Sequence, residues 1–375
     1  MISAPRGPLE GVKVIELARI LAGPWAGQIL SDLGAEVIKI EASRGDDTRK
    51  WGPPFIDRED ERSAAYFHCC NRGKHSVVVD ISTPEGQAQV RELVAEADIL
   101  IENFKVGGLA KYGLDFASLA QVNPGLIYCS ITGFGQDGPY AHRAGYDYII
   151  QGMSGFMSIT GNPEGQPQRT GVAITDLFTG LYSVSGILAA LHQKQRTGKG
   201  QHIDMALYDC SVALLAHQAQ SFFTTGENPP RMGNMHAQVS AYGVFPTKDG
   251  PVVLAPANDR LFRKLLEVFE RHDLLGDERF ATNEARIANR AQIDGIIATQ
   301  TAQWDREALL AACRKAGVPA GPIYEVSEVF EDPQVLARGM TFPMAEGLTG
   351  LRSPFSFSDA ELALGEPSPR LGQDD

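Results

Sequence analysis

Apolar positions in the first hundred residues switch between short continuous runs and a helical spacing. Val12 to Leu17 (VKVIEL) reads as a buried strand, Gly23-Pro24 opens a helical stretch that Gly34 closes after Leu33, and Val37 to Ile40 (VIKI) is the next strand. Proline just inside a helix start and glycine just past its end follow the usual capping asymmetry. The unit spans about thirty residues, the size of a βαβ crossover. A second unit follows, with Ser76 to Ile81 as strand, Pro84 to Ala97 as helix and Asp98 to Glu102 as strand, after which Leu126 to Thr132 adds another strand. This alternation predicts an α/β fold with a doubly wound, mostly parallel, Rossmann-like sheet covered on both faces.

Farther along, a long apolar helix is expected from Asp176 to about Gln195, stopping at the basic, glycine-rich turn Arg196 to Gly200. His202 to Met205 reads as a brief strand and Tyr208 to Phe223 as a helix. Composition changes at Thr224 to Pro230, a linker. Tyr242 to Thr247 and Pro251 to Ala255 then flank Lys248-Asp249-Gly250 as a hairpin, and helical, charge-rich segments run from about Asp259 to Ala316. The expected organisation is a large domain over 1–224, a smaller α+β domain over 225–330, and a Pro- and Gly-rich tail over 331–375 that returns to the large domain.

Composition narrows the classes. The chain is 43% hydrophobic and 21% charged, ordinary for a globular protein, and its formal net charge is −12. That charge argues against nucleic acid or an anionic membrane as the main partner, though not against a small anion held by the local field of a cleft. No run approaches 18 uninterrupted apolar residues, so no membrane span is expected. The start MISAPRGPLEG has no apolar h-region, so no signal peptide is expected either. Five cysteines form neither a disulfide framework nor a zinc spacing, which points to a reducing cytoplasm and no metal.

Asp176 carries the most chemistry. It sits between a short apolar strand-like piece and the long helix of GVAITDLFTGLYSVSGILAAL. Read locally it is a helix N-cap. A carboxylate there accepts from free helix N–H groups and feels the positive end of the dipole, which keeps it ionised, and an ionised carboxylate in a dry cleft is a nucleophile. Loops upstream add to the picture. Arg19 to Trp25 lies where a strand gives way to a helix, Asn103-Phe104-Lys105 follows the strand DILIE, and Ser130 to Pro139 is rich in glycine. Such loops suit a phosphate-bearing ligand at the carboxyl edge of a sheet. Glu41, with no glycine fingerprint before it, reads as a solvated strand end, and Arg44, Arg49, Lys50, Arg72 and Lys74 as solvated surface.

Seven segments follow one another in fixed order along nearly the whole chain: PLEGVKVIELARILAGPWAGQILSDLGAEVIKIE, GDDTRKWGPPF, CNRGKHSVVVDISTPEG, ENFKVGGLAKYGL, YCSITGFGQDGPYAHRAGYDYIIQGMSG, RTGVAITDLFTGLYSVSGILAAL and GQHIDMALYD. On these the chain resembles the family III CoA-transferases, which include carnitine and formyl-CoA transferases. Within that family it is most similar to members that move CoA between dicarboxylic acids, such as the succinyl-CoA:glutarate type. The resemblance implies that Asp176 is the nucleophile. It also implies CoA contacts from Ile20, Leu21 and Ala22, from Val79 to Ser82, from Asn103, Phe104 and Lys105, from Lys111, and from Ala144, Tyr146 and Asp147. Formyl-CoA transferases have Arg where this chain has Ala42, so either Arg44 takes that phosphate contact or it is lost. They have Gln where this chain has Leu21, and their glycine-rich lid shrinks here to Gly233-Asn-Met-His236.

The implied chemistry runs through an aspartyl anhydride and an aspartyl-CoA thioester, with acyl-CoA as substrate and no metal. Gly133, Gly135 and Gly233 are candidate oxyanion donors. Arg19, Arg143 and Arg169 are candidates for a distal carboxylate. An interlocked homodimer is implied as well. Two other readings stand beside this one. A 2-methylacyl-CoA racemase on the same fold would need a His where this chain has Tyr146, and a phenol is a poor partner for α-proton abstraction. A non-catalytic CoA-binding protein would not need Asp176 in this setting.

Overall fold

A computed structural model describes residues 7–375. Met1 to Arg6 lie outside the described residues, and with them half of the segment on which the leader reading rests. The chain divides into two compact units. The larger comprises residues 7–156, Arg169–Glu227 and Pro333–Asp375, and the smaller comprises Met157–Gln168 and Asn228–Asp332.

The larger unit is built on six parallel strands. They are β1 (Lys13–Glu16), β2 (Glu36–Glu41), β3 (His75–Val78), β4 (Ile99–Glu102), β5 (Ile127–Thr132) and β6 (Gln201–Ala206), in the spatial order β3-β2-β1-β4-β5-β6. This is the doubly wound order, and its direction reverses between β1 and β4. Ile15 pairs with Ile38 on one side and Leu100 on the other. Successive residues alternate between two cores, as a pleated strand requires. Val14, Val37, Ile99 and Ile127 face one core, while Ile15, Leu100 and Tyr128 face the other. Both faces are buried, which is why these strands read as nearly continuous apolar runs.

Helix α1 (Ala22–Asp32) connects β1 to β2, α2 (Pro84–Ala95) connects β3 to β4, and α3 (Phe116–Val122) connects β4 to β5. Thr83 caps α2 by accepting from the Gly86 N–H, with Pro84 at its first position. Between β5 and β6 lie α4 (Asp147–Met153) and the 24-residue α5 (Ile174–Thr197), which packs along α1. Among the described helices, α5 alone is long and apolar enough to cross a membrane, a property the uninterrupted-run criterion did not register. One of its faces is committed elsewhere, since Val184, Ile187 and Ala190 are buried in the sheet core.

Three local expectations need correction. Gly171 to Ala173 form no strand ahead of α5. Tyr208 to Phe223 is two helices, α6 (Leu207–Ala213) and α7 (Ala216–Thr225), with Ala216 at φ 42° between them. That run contains neither Gly nor Pro, so nothing in it announced the break. The residues read as solvated charge are buried instead. Arg49 is held by Glu41 through two hydrogen bonds of 2.9 and 2.6 Å, Arg72 by Asp32, and Lys74 by Glu16 at 2.8 Å. Only Arg44 and Lys50 of that set are exposed. Within the 331–375 segment, Thr341–Pro343 and Thr349–Leu351 form a two-stranded ribbon. Pro369 accepts from Arg49, and the Asp374 N–H donates to Ser76.

In the smaller unit, β7 (Gly243–Thr247) and β8 (Gly250–Leu254) form the hairpin about Lys248 and Asp249, and β9 (Ala320–Pro322) pairs on the other side of β8. Phe262, Leu265, Ile293, Ile297, Leu309 and Cys313 pack its core.

Candidate active site

At the carboxyl edge of the sheet, the loops after β1, β4 and β5 open on one cavity of about 510 Å³. This is the crevice where strand order reverses, the usual ligand position in such folds. The β1 loop enters α1 through Ile20 at φ 73°, a sparsely populated conformation for a β-branched residue. Two side chains hold it there. The Asn103 Oδ1 accepts from the Arg19 N–H at 2.9 Å while its Nδ2 donates to the Arg19 carbonyl at 2.6 Å. Asp46 accepts from the Ile20 N–H at 3.3 Å. Asn103 thus spends its amide on the loop backbone. No side chain caps α1, whose N-cap residue is Leu21. The start of this helix therefore presents N–H groups and a positive dipole end to the cavity, as suits a phosphate.

Arg19, Lys105, Lys111 and Arg143 line the same cavity. Arg19 reaches Asp47 at 3.5 Å and lies over the Phe104 ring. Arg143 lies over Phe134 and Tyr140, and among the described residues it forms no ion pair. The glycines serve packing first. A Cβ on Gly133 would meet the Gly145 Cα at 2.6 Å, so glycine at both positions lets the β5 loop and the segment before α4 touch backbone to backbone.

The cavity gathers most of the residues singled out in the sequence: Ile20, Leu21, Ala22, Asn103, Phe104, Lys105, Lys111, Ala144, Tyr146, Gly133 and Asp176. Others it does not gather. Arg44 is exposed away from it, Val79 is buried in a sheet core, and the Ser82 hydroxyl donates to Asp80. The Gly135 N–H already donates to Thr132, which leaves it no free donor for an oxyanion. Arg169 lies over Tyr148 outside the lining, and Gly233 belongs to the smaller unit, where its N–H donates to Gly161. Asp147 is absent from the lining too. Tyr66 is a residue that spacing gave no means of finding. Its phenol is pushed up by burial first and then by negative charge, that of Asp176 foremost.

Asp176 does not cap its helix. The N-cap of α5 is Ala173, and Asp176 sits in the first turn, its carboxylate accepting no capping bond. Burial, and then the charge of Asp147, push this carboxyl up to about 7. The expectation that the helix start keeps it ionised meets an opposing effect, since burial disfavours the charged form. Its ionised form is poorly solvated and hence a stronger base than an ordinary carboxylate.

A family model described as CoA-transferase family III matches residues 9–375. The chain belongs to CoA-transferase family III. Among the relatives of this CoA-transferase, the succinate–glutarate CoA-transferase of Agrobacterium fabrum is 56% identical over 98% of this chain and 93% of its own. The succinyl-CoA:glutarate CoA-transferase of Mus musculus is 40% identical over 98% of this chain and 84% of its own. A crystal structure of a CAIB/BAIF family protein from Brucella suis superposes with a TM-score of 0.89 at 58% identity, covering 98% of this chain and 97% of that one. Family III CoA-transferases act on CoA thioesters. The chemistry required of the chain is thus to bind an acyl-CoA and exchange its acid.

Proposed function

We propose that this enzyme moves CoA between dicarboxylic acids, succinyl-CoA and glutarate being the pair suggested by its relatives' names, with Asp176 as the nucleophile. The observation that carries the reading is Asp176's position: a partly desolvated carboxylate opening on the same cavity as four cationic side chains and an uncapped helix start. The Asp176 carboxylate oxygen attacks the thioester carbonyl, the C–S bond breaks, and a mixed anhydride forms. The CoA thiolate then attacks the Asp176 carbonyl, releasing the donor acid and leaving an aspartyl-CoA thioester. The acceptor carboxylate attacks that thioester and expels the thiolate. The thiolate attacks the acceptor's acyl carbon, which frees Asp176. No net proton is consumed. Splitting the exchange into covalent steps is what a positioned carboxylate offers, and a site closed to water protects the anhydrides.

Arg143 suits a distal carboxylate, because it lines the cavity and forms no ion pair among the described residues. The test is a screen of mono- and dicarboxylic acceptors with succinyl-CoA, read by mass spectrometry, on the natural protein and on Arg143→Leu. Transfer should favour dicarboxylates, and the variant should lose about tenfold or more in kcat/KM for glutarate with a much smaller loss for butyrate. Equal losses for both acids would remove Arg143 from this role.

The proposal includes an interlocked homodimer. Leu181, Tyr182 and Leu188 on α5 and Phe222 and Phe223 on α7 are exposed apolar side chains of the kind that oligomers cover. Light scattering should return twice 40.6 kDa. A cytoplasmic location is part of the same reading, supported by five unpaired cysteines.

A further inference from the structure

Ala173, at the start of α5, has no side chain that can cap, and the acceptor it lacks comes from another helix. Asp147, the first residue of α4, accepts through Oδ1 from the Thr175 N–H at 2.9 Å, one residue before Asp176. Its other oxygen accepts from the Gln151 Nε2 at 2.7 Å. Gln151 and Thr175 are fully buried, and the Gln151 Oε1 accepts from the Thr170 N–H at 3.1 Å. Both Asp147 oxygens are therefore spent on the chain's own donors, and the residue does not line the cavity. A serine or threonine at 173 would cap the helix without charge. Here the cap is a carboxylate, set beside the reacting one.

We propose that Asp147 is a positioning residue for the transfer: it fixes the first turn of α5 through the Thr175 N–H and so sets a second carboxylate next to the one that reacts. This rests on the reading of Asp176 as nucleophile, and it replaces the CoA contact that the resemblance implied for Asp147. The titratable groups whose charge couples to Asp176 are Asp147 from α4 and Tyr66 from the short helix Ala65–His68. Arg19, Lys105, Lys111, Arg143, His142, Tyr112 and Tyr146 line the cavity it opens on. Burial and Asp147 both disfavour the charged form of Asp176, and none of the cavity cations offsets them. A like charge raises a carboxyl's pKa, so its removal lowers it.

The test is Asp147→Asn, whose amide oxygen can still accept from Thr175. The ascending limb of kcat/KM against pH should move down by on the order of half a pH unit or more. At high pH, kcat should fall while KM for the acyl-CoA holds. Asp147→Glu, which restores the charge, should return the limb to its original place, and Asp147→Ser, a neutral capping residue, should repeat the Asn result if the Asn variant folds poorly. Carbodiimide labelling of Asp176 against pH, read by peptide mass spectrometry, should show the same midpoint shift independently of turnover. A limb and labelling midpoint that stay in place overturn the proposal, as does a rise in KM for acyl-CoA with no shift. If Asp176→Ala retains turnover, the nucleophile reading fails instead, and the labelling midpoint still judges Asp147.

Discussion

Asp176→Ala is expected to cost about 10⁴-fold or more in kcat, the scale on which removing a covalent nucleophile acts. CoA affinity should stay within a few-fold, because the cations and the α1 start that suit the phosphates are separate from Asp176. Hydroxylamine applied during turnover with labelled acyl-CoA should modify the peptide carrying Asp176 in the natural protein and not in the variant. Turnover near normal in the variant would refute the covalent route. Stability should move the opposite way in Asp176→Asn. Burial raises this carboxyl from 3.8 to about 7 in the folded chain, so the folded state holds the proton more tightly than the unfolded one. Below pH 3.8 both states keep it, and the variant and the natural protein should melt together. Between pH 3.8 and about 7 the unfolded chain ionises while the folded chain still holds the proton, so stability is lost across that window, fully so once the folded carboxyl carries its poorly solvated charge. Removing that charge should raise Tm by about 2 °C or more above pH 8, after discounting for partial solvent access. A Tm gain that is the same at all pH values would mean the charge is not the cause.

The largest loss of stability is expected at Glu16. Its carboxylate holds Lys39 at 3.0 Å and Lys74 at 2.8 Å, all three side chains having zero exposure. Lys39 also reaches Asp46 at 3.1 Å, the residue that accepts from the Ile20 N–H. This cluster lies beneath α1, where a Cβ on Gly27 would meet the Glu16 Oε2 at 1.8 Å. Glu16→Ala leaves the buried Lys74 ammonium without a carboxylate and Lys39 with Asp46 alone, a change of about 3–5 kcal/mol. Thermal melting at neutral pH should fall by about 6 °C or more. KM for the acyl-CoA should rise too, since the Ile20 turn is anchored through the same charges. A loss under about 1 kcal/mol would show that water or side-chain rearrangement solvates the lysines.

The strands of the sheet were legible because both of their faces are buried, so Val14, Ile15, Val37 and Ile40 announce themselves without any partner being known. The crevice loops were legible for a related reason: the stretches beginning at Arg19 and Asn103 each follow a strand, and a doubly wound sheet sends all such ends to one edge. The buried ion pairs were not legible. Arg49, Arg72 and Lys74 look like any surface charge until the partner is seen, and those partners lie 8, 40 and 58 residues away. The glycine-rich loop was read for ligand access, whereas Gly133 is small because Gly145 lies against it.

The sequence by itself determined the alternation that makes an α/β sheet, the family, and the single carboxylate on which the chemistry is placed. Those features depend on local period and residue identity, which a chain carries along its length. Only the tertiary structure decided the state of that carboxylate. Whether Asp176 is a capped, ionised group or a poorly hydrated one depends on how much water the fold removes and which charge it sets alongside. Asp147 and Asp176 are 29 residues apart, and no spacing rule brings them together. Folding α4 against the start of α5 does.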